Sequence, residues 1–138
     1  MYCTTDELID LMPENEIIQL VDDERLGLIS PAGTLRITAT IEDVSAEIDA
    51  SFLKGGYTLP LSNTVLARSL SKQLTICRLI ARKGVVPNEA RKQLCIDANA
   101  LLKAIAEGKV TLDQTGHGVG VKRDDRTEIF TKENLETF

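Results

Sequence analysis

Apolar residues recur at helical spacing along most of this chain. Ile37, Ile41, Val44, Ile48 and Phe52 are separated by 4, 3, 4 and 4 positions, one stripe of a 3.6-residue period. From about Ser62 to Lys83 a second stripe carries Leu66, Leu70, Leu74, Cys77 and Ile80 or Ala81, widened by Val65, Ile76 and Leu79. A third, Ala90, Leu94, Ala98, Leu101 and Ile105, is spaced 4, 4, 3 and 4. The pattern predicts three long helices, the first beginning at Leu35 and the third restarting at Pro87, a residue tolerated at the first helical position. Gly55-Gly56, Gly84 and Gly108 are their stops, because glycine readily takes the left-handed conformation that ends a helix. Upstream, Thr4-Thr5-Asp6-Glu7 has the form of a capping box with Thr4 as N-cap. Pro13 interrupts, and residues 14–21 predict a second short helix. Residues 22–33, DDERLGLISPAG, have turn composition.

Past Gly108 no helical period is sustained. Val119 and Val121 alternate weakly, as in an extended segment, and Thr131 could cap a last short turn ending at Leu135 and Phe138. The predicted architecture is therefore all-α: a small bundle of three long helices plus short N-terminal helices over residues 1–110. An extended C-terminal arm covers 111–138, and a segment of that length without periodicity is unusual inside a compact domain, being more often disordered or bound to something.

The connection FLKGGYTLPLSN is unusual for a helix–helix linker. It combines two glycines with apolar, stiff residues. Gly55 and Gly56 let the chain turn steeply. Tyr57, Leu59 and Leu61 can then pack inward at alternate positions while Pro60 restricts the backbone. Either an ordered strut or an apolar loop over a monomer core fits this pattern. A fully buried Tyr57 ring would make Tyr57→Ala cost about 3–5 kcal/mol.

Composition changes this picture little. With 43% apolar and 27% charged residues, 4% aromatics and no tryptophan, the core must be aliphatic. No run approaches the roughly 20 residues of a membrane span, and MYCTTDELID lacks a signal-peptide pattern. Cys3, Cys77 and Cys95 are odd in number, and Cys77 and Cys95 fall on helical faces as small hydrophobes. They suggest folding in a reducing cytosol.

Charge is the stronger clue. Residues 1–60 hold 12 acidic and 3 basic side chains, 61–110 hold 3 and 9, and 111–138 hold 6 and 4. Two readings follow. The halves neutralise each other within one chain, or Glu42, Asp43, Glu47 and Asp49 of one copy face Arg68, Lys72, Arg78 and Arg82 of the next. The basic set, extended by Lys83, Arg91 and Lys92, could also touch DNA, though no stacking platform or recognition motif accompanies it.

Candidate chemistry is sparse. His117 is the single histidine, set among Gly116, Gly118 and Gly120; it has no cysteine at metal-ligand spacing and no phosphate-loop context. No serine nucleophile elbow occurs. The expectation is a protein with no catalytic residues, metal or cofactor.

The opening MYCTTDELIDLMPENEIIQL, the stretch DVSAEIDASFLKGGYTLPL, the restart VPNEARKQ, AIAEGKVTL and the ending IFTKENLETF together resemble Mu-like phage proteins related to head–tail connectors. The similarity spans nearly the whole chain. Its most specific pieces are Ser45-Ala46-Glu47-Ile48-Asp49, the Tyr57-Thr58-Leu59-Pro60-Leu61 linker and the segment from Phe130 to Phe138. The family commonly carries an arginine before the linker tyrosine, where this chain has Gly56. The resemblance implies a small helical adaptor or head-completion protein, made in the host cytoplasm and placed in the virion neck. There it would form a ring under the portal, with Phe130, Leu135 and Phe138 on a docking arm. Self, portal and tail-completion proteins are the implied partners, with non-specific contact to packaged DNA. A DNA-contacting or regulatory phage protein using residues 68–92 is the alternative.

Overall fold

The computed structural model describes residues 1–112 and 119–121. Five helices and one β pair follow in chain order: α1 (Thr5–Leu8), α2 (Glu14–Val21), α3 (Pro31–Lys54), α4 (Val65–Lys83), α5 (Glu89–Ala106), β1 (Val110–Leu112) and β2 (Val119–Val121). The all-α architecture expected from the stripes is what the chain adopts.

Local chemistry sets the helix ends. Thr4 Oγ1 accepts the Glu7 N–H at 3.4 Å while the Glu7 carboxylate accepts the Thr4 N–H at 3.0 Å, closing the capping box. α3 starts four residues before the predicted Leu35. Ser30 Oγ accepts the Gly33 N–H at 3.0 Å and Pro31 occupies the first helical position, so the SPAG cluster read as a turn is a cap followed by helix. At α5 the reverse holds. Pro87 lies outside, and Asn88 is the N-cap, its Oδ1 accepting the Arg91 N–H at 2.8 Å. α4 closes on Gly84, whose φ of 77° is the left-handed conformation.

The core has two sections that share α3 and α4. Ile37 and Ile41 cluster with Ile76, Leu79, Ile80 and the buried residues of α1 and α2. Val44, Ile48 and Phe52 cluster with Ala67, Leu70 and Leu74, together with Ala98, Ile105 and Val110. Early α3 thus meets late α4 and late α3 meets early α4, so the two helices run antiparallel. α5 lies beside them parallel to α3. It sits more lightly than its stripe suggests: only Ala98 and Ile105 are buried, Leu94 and Leu101 are half-buried and Ala90 is exposed.

Two features correct the sequence reading. Cys77 and Cys95 are not free hydrophobes, and they no longer argue for folding in a reducing cytosol. They are joined in a disulfide that ties the middle of α5 to α4, which a sequence separation of 18 residues does not reveal; Cys3 is free and buried. And the weak alternation at Val119 and Val121 is a strand that folds back on the body. β2 pairs antiparallel with β1 in the register Val110↔Val121, Thr111↔Gly120, Leu112↔Val119. His117, Thr131 and the arm residues Phe130, Leu135 and Phe138 lie outside the described residues.

Candidate interaction surfaces

The connection after α3 is built by two helix ends that meet. At the end of α3 the Tyr57 N–H donates to the Phe52 carbonyl at 2.9 Å and the Gly56 N–H to that of Leu53 at 3.1 Å. With Gly56 at φ 98°, this is a Schellman motif. α5 ends the same way, with Lys109 N–H on Ala104 and Gly108 N–H on Ile105, both at 3.0 Å. The two motifs touch. A Cβ on Gly55 would stand 2.1 Å from the Ile105 carbonyl oxygen, so Gly55 is there for close approach rather than for conformational freedom.

Tyr57 locks this corner. Its ring meets Phe52 edge-on, centroids 5.3 Å apart at 88°. Its hydroxyl donates to the Val110 carbonyl at 2.7 Å, reaching the first residue of β1. Leu61 is buried, while Tyr57 and Leu59 are partly buried against the same core section. Leu59–Pro60 is a cis peptide.

The Ser45–Asp49 segment has an equally local explanation. The Tyr2 backbone N–H donates to Ser45 Oγ at 3.2 Å, and the Tyr2 hydroxyl donates to the Asp49 carboxylate. Ser71 Oγ donates to Cys3 Sγ at 3.3 Å. The first residues therefore form a strap over α3 and α4, and Ile48 between the two polar contacts is fully buried. Burial, then the Asp49 contact, raises the Tyr2 phenol far above its ordinary value. Burial likewise raises the Cys3 thiol, so both groups stay protonated at neutral pH. The sequence reading missed Tyr2; its only signal was its place in the opening motif.

The charged halves meet largely inside one chain. Arg78 pairs with Glu47 at 2.6 Å and Arg68 with Glu7 at 3.4 Å. Arg91 pairs with Glu16 at 2.8 Å. Asp23 receives Arg82 and also Lys83 at 3.2 Å, and these partners hold its carboxyl below the ordinary range, the Arg82 hydrogen bond being the largest cause. Of the eight residues proposed for an intersubunit contact, Glu42, Asp43 and Lys72 have no ion-pair or hydrogen-bond partner among the described residues; Lys92, from the wider basic set, is in the same position. No group of three or more metal-ligating side chains occurs among the described residues, and no helix there is long and apolar enough to cross a membrane.

These features define a small helical body with a strap across its α3–α4 seam and a β pair at the joined ends of α3 and α5. The family model described as Bacteriophage Mu, Gp36 matches residues 2–129, and the chain belongs to that family. It is a Mu-like phage protein. No curated protein and no solved structure matches the chain.

Proposed function

We propose that the protein is a non-enzymatic structural component of the phage particle, a head–tail connector or head-completion adaptor. In this reading it is assembled in the host cytoplasm and ends in the virion neck. The observation that carries the reading is a stiff helical body, within a Mu phage family, whose chain continues for 17 residues past a β pair at one pole. Such a body suits repeated placement around a ring, since a heterologous contact closes when its rotation permits. Glu42 and Asp43 are the acidic residues left to face Lys72 and Lys92 of the next copy. The portal and tail-completion proteins are the other partners.

The decisive experiment mixes the purified protein with a purified portal ring and images the product by electron microscopy. The expected result is an added layer of density on one face of the portal; unaltered portal rings at saturating protein would overturn the reading. A gel shift at physiological salt addresses DNA contact. Five of the seven basic residues at positions 68–92 are already ion-paired within the chain, so weak binding that vanishes with salt is expected.

A further inference from the structure

Two helix faces point out of the bundle and complement each other. On α3, Leu35, Ala39, Glu42, Ala46, Ala50 and Leu53 fall within about 80° of arc at 3.6 residues per turn, on the side away from the buried Ile37, Ile41, Val44 and Ile48. All of this face is exposed, Leu35 at 70% and Leu53 at 62%. On α5, Lys92, Ile96, Ala100 and Lys103 share an arc of similar width and are exposed too, Ile96 at 52%. The α3 face is acidic through Glu42, with Asp43 beside it, and the α5 face is basic. None of Glu42, Asp43, Lys92 and Lys103 has a side-chain ion pair or hydrogen bond among the described residues, whereas the nearby Glu47 and Arg91 are held by Arg78 and Glu16.

We propose that the α3 face of one copy packs on the α5 face of the next. The inference rests on the ring reading above and names the two surfaces that meet. Glu42, Ala46, Ala50 and Leu53 are separated by 4, 4 and 3 residues, and so are Lys92, Ile96, Ala100 and Lys103. With the helices parallel, Glu42 and Asp43 meet Lys92. Ile96 enters the shallow surface at Ala46 and Ala50, and the aliphatic stem of Lys103 covers Leu53. Leu35 then comes level with the exposed Val85 and Val86 in the turn before α5. Within one copy α3 and α5 already run parallel, and a rotation about an axis along the bundle keeps them parallel across copies. Like faces repel. Two α3 faces in antiparallel contact would set Glu42 and Asp43 against themselves, and two α5 faces would set Lys92 against Lys103. Charge therefore selects a head-to-tail contact over a two-fold dimer. The matched stretch, residues 35–53, rises about 27 Å, and one helix pair of that length buries less than the roughly 1,200 Å² of a stable interface. The contact is weak between two free copies and is reinforced when the ring closes.

The test is sedimentation equilibrium at low salt, with protein up to about 1 mM so that a weak contact registers. Two variants reverse one face each: Glu42→Lys with Asp43→Lys, and Lys92→Glu with Lys103→Glu. All four side chains are exposed, and circular dichroism melts check that both variants fold. The wild type is expected to self-associate, and each variant alone to do so at least tenfold more weakly. An equimolar mixture of the two is expected to regain wild-type association. In it the lysine-bearing α3 face meets the glutamate-bearing α5 face, and the two native faces meet each other. Variants that associate like the wild type, a mixture no better than either variant, or a wild type that stays monomeric would each overturn the contact. Carbodiimide coupling of mixed isotope-labelled and unlabelled wild type gives a second readout. It is expected to join Glu42 or Asp43 of one copy to Lys92 of another, and links between copies only at other positions would also overturn the contact. Portal binding is judged separately by the imaging experiment, so the ring reading can survive the loss of this contact.

Discussion

At the scale of single residues, neighbouring glycines do different work. Gly55→Ala pushes a methyl group into the Ile105 carbonyl and should destabilise by about 1–3 kcal/mol, the usual range for overpacking. Gly56→Ala meets open space but forces a positive φ on alanine, expected to cost about 1–2 kcal/mol. Urea titrations of the two variants beside the wild type measure the two costs, the contact at Gly55 and the backbone strain at Gly56. Tyr57 is only partly buried, so Tyr57→Ala should fall below the core-aromatic range, near 2 kcal/mol. Tyr57→Phe should cost about 1 kcal/mol through the lost bond to Val110. Tyr2 gives a pH signature. Its folded pKa is raised, so the native state holds a proton that the unfolded chain releases. The associated stability is complete below about pH 10 and is lost as pH rises beyond it. Wild-type protein should therefore lose stability between pH 9 and 11 more steeply than Tyr2→Phe; equal slopes would show that burial and the Asp49 contact do not raise the phenol.

At the scale of elements, the stripes located the three long helices because a 3.6-residue period survives in any sequence that buries one helix face. The boundaries were less legible. Ser30-Pro31 and Pro87-Asn88 have similar composition, yet one proline lies inside its helix and the other outside, and the deciding factor is which residue's side chain caps. The disulfide was hidden because a bond between Cys77 and Cys95 depends on how two helices dock, not on spacing. It closes an 18-residue loop on a helix that buries only two side chains. Reduction should lower stability by about 3 kcal/mol on the chain-entropy estimate, measured as the shift in urea midpoint with and without a phosphine reductant. Cys95→Ser should reproduce the shift and abolish the reductant effect. β2 was faint in the sequence because a three-residue strand has almost no period to detect.

For the whole molecule, the polarised charge was plain in the sequence but its destination was not. Sequence separations of 31 for Glu47–Arg78 and 75 for Glu16–Arg91 become contacts only after α3 has packed on α4 and α2 has met α5. Most of that charge now joins parts of one chain, and exposed pairs of this kind contribute little each. Raising salt from 0.05 to 0.5 M should accordingly change the melting temperature by only a degree or two, while shifting assembly mass more if Glu42, Asp43, Lys72 and Lys92 meet across copies. A large fall in melting temperature would show that the internal pairs matter more than their exposure suggests.

The strand register has a mechanical consequence. Val121 lies opposite Val110, so the exit of the chain toward residue 122 and the root of β1 at Lys109 are on the same side of the pair. Tension applied through the tail therefore peels the pair open one rung at a time instead of shearing all its bonds together. Under load this three-residue pair would yield first, lengthening the tether while the helices behind it keep their shape.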